Sequence, residues 1–145
     1  AETVARLARD PRVRAIKECG GDLNRLQELI SLGRPAVLCG EDAWAFTALC
    51  AGASGVIAAC AHVRPDLWVS LATAVRDQRL NQARALFARL LPVIRLLFAQ
   101  PNPAPLKAAL ALTGEITDEL RLPMLALAPA EREALGQALK TLQAS

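Results

Sequence analysis

Three short apolar runs, each bounded by turn-forming residues, mark the first part of the chain: "VRAIK" at 13–17, "AVLC" at 36–39 and "GVIAAC" at 55–60. Each is too short for a helix and predicts a β-strand buried on both faces, the kind found in parallel sheets. Between them the period becomes helical. In "DLNRLQELISLG" leucines fall at 23, 26 and 29 with Ile30 beside them, Asp22 stands where a cap is needed and Gly33 where the helix should stop. "EDAWAFTALCAG" (41–52) repeats the arrangement, with Asp42 as a possible cap and Gly52 as the stop.

The order strand, helix, strand, helix, strand, with crossovers long enough to join parallel neighbours, predicts α/β architecture. After Pro65 the pattern changes. "PDLWVSLATAVRDQ", "RLNQARALFARLLPVIRLLFAQ", "PAPLKAALALTG" and "APAEREALGQALKTLQAS" are all helical in period, and the leading "AETVARLARD" reads as a helix that has lost its start. Strands apolar on both faces need neighbours and cover on both sides. Three of them make a poor complete sheet, so the chain reads as the second part of something larger rather than as a self-sufficient three-stranded domain.

Composition narrows the function classes. The 145 residues are 53% hydrophobic, 21% charged and 3% aromatic, which describes a folded alanine- and leucine-rich protein with enough length for one core. The net charge of +3 comes from arginines such as Arg76, Arg79, Arg84, Arg89 and Arg95, interspersed with apolar residues as on a solvated helix face, so no nucleic-acid partner is expected. No apolar stretch reaches the roughly 20 residues that span a bilayer. Nothing at the N-terminus resembles a signal peptide. The expectation is a cytoplasmic protein without a membrane partner. Cys19, Cys39, Cys50 and Cys60 lack metal-ligand spacing, and the single His62 cannot complete a usual ligand set. They read as reduced, buried thiols, with no metal and no cofactor implied.

Lys17 stands at the C-terminal end of the first predicted strand, where parallel α/β proteins place their active sites. An amine among apolar walls can attack a carbonyl and form a Schiff base. The alternative is a strand-capping lysine paired with Glu18 or Asp22 at the surface. Gly40, in "CGED", allows a ligand close to the backbone or is simply a turn glycine. Ile57 belongs by default to the core. His62, directly after the third predicted strand, is a proton carrier or a hydrogen-bonded structural residue. In "QPNPAPLK" (100–107), Pro103 or Pro105 suits a first helical turn and Lys107 reads as solvated.

The series "AIKECGGDLNRLQELI", "AVLCGEDAWAFTALCAGASGVIAACAHVRP", "ARALFARLLPVIRLLFAQPNPAPLKAALALTG" and "LRLPMLALAPAEREAL" resembles, in order and over essentially the whole chain, the C-terminal half of the dihydrodipicolinate synthase and N-acetylneuraminate lyase family of pyruvate-dependent class I aldolases. The strand-end "IKE", the "GED" turn (usually "GDD"), "GVI", "PNP..K" and "LRLP" carry the resemblance together.

It implies a partial (β/α)8 barrel, strands six to eight, followed by a C-terminal helical extension. Residues 1–64 would close the barrel, and 65–145 would hold its last helix and the extension. Lys17 would form the imine with pyruvate, and Gly40 and Ile57 would line the pyruvate pocket. The enamine would add to an aldehyde, aspartate semialdehyde in the synthase proper, to give the cyclic precursor of diaminopimelate and lysine. "PNPAP" and "LRLPM" look more like the synthase than the sugar-acid lyases. The alternatives are another 2-oxo-acid aldolase and a non-catalytic half-barrel that self-associates. Two departures stand out. "CAHV" puts His62 where the synthase commonly has an asparagine, and the chain has no tyrosine, whereas the family's proton-relaying tyrosine and carboxylate-binding threonines belong to the first half. The resemblance therefore also implies an N-terminal half, in the same or a second chain, and an oligomer, the family being usually tetrameric.

Overall fold

The computed structural model describes residues 1–144; Ser145, the end of the last expected helix, lies outside the described residues. The chain divides into two compact units, residues 1–58 with 69–84, and 59–68 with the chain from 85 onward.

In the first unit, β1 (Ala15–Glu18), β2 (Ala36–Cys39) and β3 (Gly55–Val56) form one parallel sheet in the order β1-β2-β3. The register pairs Ile16 with Val37, Lys17 with Leu38, Glu18 with Cys39, and Cys39 with Val56. Because successive side chains of a strand point to opposite faces, Ile16, Val37, Cys39 and Val56 share one face. That face is the floor of the core. Val37 and Cys39 are buried there with Leu26 and Leu29 of α2 (Leu23–Ser31), Val4 of α1 (Glu2–Leu7) and Ala48 of α3 (Ala45–Cys50).

The opposite face differs from the sequence reading. Ala15 and Lys17 are exposed, and Ala36, Leu38 and Gly55 are only half-buried. The strands carry apolar residues on both faces, but α1, α2 and α3 pack their buried residues against one.

β3 is also shorter than expected. It stops at Val56, and residues 59–62 form a 3-10 turn, so His62 does not follow a strand directly. Ala58 and Ala59 lack the branched or aromatic side chains that favour extended chain.

Local chemistry explains the helix ends. The Asp22 carboxylate accepts hydrogen bonds from the amides of Asn24 (2.9 Å) and Arg25 (3.2 Å), which would otherwise lack partners in the first turn of α2. Asp42 behaves differently from the cap expected of it. The segment opens as a 3-10 turn, Asp42–Trp44, with Glu41 in the cap position and Asp42 buried inside the turn.

The second unit contains the start of α4 (Pro65–Arg76), most of α5 (Leu80–Leu97), α6 (Ala104–Leu112) and α7 (Pro129–Ala144). Leu135, Leu139 and Leu142 recur at helical spacing on the buried side of α7, which packs against α6. Pro105 lies in the first turn of α6 and Pro103 at its cap. Lys107 is half-buried, not solvated, because its ammonium donates to the carbonyl of Glu119.

Arg64 takes a left-handed backbone, φ 53°. Its guanidinium donates to both Asp66 oxygens (2.9 and 2.8 Å) and to the Leu142 carbonyl (3.0 Å), in the last turn of α7.

Two outcomes follow. Leu29→Ala should destabilise the chain by about 2–5 kcal/mol in urea unfolding, because it empties a fully buried position. The Arg64 guanidinium holds the Asp66 carboxyl below the usual carboxylate range. Its folded value is depressed, so the pair's contribution is complete above the unfolded value and is lost as pH falls through the folded one. Between about pH 5 and pH 2 the wild-type melting temperature should therefore fall slightly further than that of Asp66→Asn, the effect being small because the carboxylate is exposed.

Candidate active site

Lys17 occupies the third position of β1 and pairs with Leu38. Gly40 follows β2 directly and continues the ladder, its amide donating to the Glu18 carbonyl at 2.7 Å. A side chain at Gly40 would collide with its neighbours. A Cβ there would lie 2.5 Å from Lys17 Cε, 3.0 Å from Lys17 Cγ and 2.9 Å from Cys19 Cβ. The lysine thus lies across the bare backbone of Gly40, which settles why a glycine stands there: the requirement is space.

Ile57 comes just after β3, its amide donating to the Cys39 carbonyl at 2.8 Å. Strand alternation places it with Gly55, Leu38 and Lys17. It is 46% exposed and so is not the core residue that its apolar side chain suggests. The first unit therefore carries Lys17, Gly40 and Ile57 on one sheet face.

Lys17 is exposed, where an apolar pocket was expected. It projects from the sheet face opposite the one on which α1, α2 and α3 pack. His62 belongs to the second unit, is exposed, and its Nδ1 lies 2.9 Å from the Ala59 carbonyl oxygen as part of the 3-10 turn.

The bland alternative for Lys17 was an ion pair with Glu18 or Asp22. Both carboxylates are engaged elsewhere. Glu18 points to the opposite face and meets Arg25 Nε at 3.0 Å, and Asp22 caps α2. Sequence reasoning passed over Glu18 except as that possible partner. The signal was available, since adjacent strand residues cannot share a face.

The thiols also divide differently from expectation. Cys39 and Cys60 are buried, but Cys19 and Cys50 are exposed. Cys19 is two residues beyond Lys17, next to the same uncovered face. Burial pushes the Cys39 thiol up from its ordinary pKa, and its Sγ–H donates to the Glu41 carbonyl at 3.4 Å.

Residues 1–142 match the model of the dihydrodipicolinate synthetase family. The chain belongs to that family. Among curated members, the 4-hydroxy-tetrahydrodipicolinate synthase of Syntrophobacter fumaroxidans is 39% identical over 142 residues, covering 96% of this chain and 49% of the relative. The crystal structure of the dihydrodipicolinate synthase of Thermotoga maritima superposes with a TM-score of 0.93 at 36% identity, over 98% of this chain and 50% of that one. A chloride-inhibited dihydrodipicolinate synthase from Acinetobacter baumannii, solved in complex with pyruvate, gives 0.92 at 33% identity, over 98% and 50%.

The chain thus spans about half the length of the dihydrodipicolinate synthases it matches, consistent with their C-terminal half. Its sheet is part of a (β/α)8 barrel, strands six to eight, followed by a C-terminal helical extension. In such a barrel the uncovered face of β1 and β2 is the one that points inward.

Gly40→Ala should push the Lys17 side chain off this surface. The expected outcome is a change in the Lys17 ε-methylene NMR signals, while the methyls of Leu29 and Val37, on the other face, stay in place.

Proposed function

We propose that this chain supplies the lysine-bearing half of a pyruvate-dependent class I aldolase site, and that the assembled enzyme is a 4-hydroxy-tetrahydrodipicolinate synthase. What carries the reading is Lys17 lying across the bare backbone of Gly40 at the C-terminal end of a barrel strand, with both nearby carboxylates engaged elsewhere. Membership of the family and the pyruvate complex of a relative support the choice of substrate.

The uncharged amine of Lys17 attacks C2 of pyruvate. The carbinolamine loses water to give the imine, whose protonated nitrogen draws electrons from the adjacent carbon. Loss of a proton from C3 gives the enamine, which adds to the aldehyde carbon of aspartate semialdehyde and forms the new carbon–carbon bond. In this scheme Gly40 leaves room for the keto acid beside the lysine, and Ile57 offers an apolar wall.

Proton transfer during carbinolamine collapse contributes about 10²–10⁴ in rate. The chain has no tyrosine to perform it, so the relay group comes from strands one to five, carried by the same or a second polypeptide. Residues 1–64 close the barrel in this scheme, and 65–145 carry its last helix and the extension. Several copies assemble in the working enzyme.

Pyruvate followed by borohydride, with the complementary half-barrel present, should leave a reduced pyruvate adduct on Lys17 in peptide mass spectra. Lys17→Met should leave none while keeping the wild-type circular dichroism. An adduct absent from the wild type, or found on another lysine, would sink the proposal.

A further inference from the structure

The carboxylate beside the nucleophile takes no part in imine chemistry, yet Glu18 is only 8% exposed. Burying a carboxylate is costly unless it is paired and hydrogen-bonded, and here every contact is made. Oε1 accepts the Gly20 amide at 2.8 Å, Oε2 accepts Arg25 Nε at 3.0 Å, and the Glu18 backbone carbonyl accepts the Gly40 amide at 2.7 Å. One residue therefore ties together the end of β1, the turn after it, the first turn of α2 and the glycine under the lysine.

The surroundings are shaped for that role. A Cβ on Gly20 would sit 2.7 Å from Glu18 Oε1, so the turn approaches the carboxylate more closely than any other residue would allow. Arg25 is held from two sides, by its own amide on the Asp22 cap and by its guanidinium on Glu18. Lys17 is the residue immediately before this clamp and lies on the other face of the same strand. Any rotation of the strand end at Glu18 is a rotation of the Lys17 side chain over Gly40.

We propose that Glu18, held by Arg25 and the Gly20 amide, is a positioning residue for Lys17: it fixes the twist of the strand end, so that the amine meets the keto carbon from a set direction. The inference rests on the aldolase reading above. Misplacing a reacting group by about 1 Å costs up to roughly 100-fold in rate, so loosening the clamp should show in the rate of imine formation more than in pyruvate affinity.

The test uses this chain with its complementary half-barrel and follows borohydride trapping of pyruvate on Lys17 against time and pyruvate concentration. Glu18→Gln should lower the maximal trapping rate about 10- to 100-fold, with little change in the pyruvate concentration giving half that rate. Arg25→Lys, which keeps the charge but not the planar guanidinium, should lower it less. The double variant Glu18→Leu with Arg25→Met separates position from stability. Removing both partners leaves no charge unpaired, and Arg25 is 39% exposed, so this variant should melt near the wild type yet still trap slowly, because the Gly20 amide has lost its acceptor. Wild-type trapping rates in Glu18→Gln, or in the double variant, would overturn the clamp and leave the aldolase reading intact. Failure of the wild type itself to trap would overturn both.

Discussion

A parallel ladder between two four-residue strands fixes which side chains this molecule can bring together. Lys17 pairs with Leu38 and Glu18 with Cys39, so the lysine and the buried carboxylate are sent to opposite sides of one sheet. A slip of one residue would exchange them. It would put an ammonium into the core with Leu26 and Leu29, and a carboxylate over Gly40. The apolar pairs Ile16–Val37 and Cys39–Val56 hold the register, since they fill the face against the helices.

From that register the two sides take different tasks. The helix-covered side supplies stability, through residues that are almost fully buried. The other side carries small or bare positions, Ala15, Ala36, Gly40 and Gly55, with Leu38 and Ile57 as its large apolar residues, around a single long polar side chain. In the aldolase reading proposed for it, the lysine needs such thrift, because each added methyl group beside it takes volume from whatever it must attack. The clamp at Glu18 is where the two tasks meet, as it reaches from the packed side to set the geometry of the open one.

Much of this was legible in the residues. β2 lies where "AVLC" predicts it, Asp22 caps α2 as its position suggests, and the four helices after Pro65 follow their periods. Lys17 could be placed on β1 and Gly40 directly after β2 from spacing, whereas Ile57, expected inside the third strand, comes just after it. What stayed hidden depends on cover and on competition. Apolar runs do not disclose which face this chain buries, so Lys17 and Ile57 came out more exposed than expected. "GVIAAC" gave no sign that its alanines would leave the strand after two residues. Cys19 and Cys50 read as small hydrophobes, and only three-dimensional packing separates them from Cys39 and Cys60. Lys107 has the look of a solvated residue in the sequence, where nothing marks its partner, the Glu119 carbonyl, 12 residues away along the chain.

The vacancy over Gly40 carries a lesson for protein engineers. The lysine sits opposite Leu38, but the room it uses opens at Gly40, two residues further along the neighbouring strand. Grafting a Schiff-base lysine onto another parallel barrel is therefore a two-strand operation. The transplant needs its amine on one strand and a side-chain-free position on the next, offset by two residues toward the barrel mouth, or the newcomer will fold away from the cavity it was meant to serve.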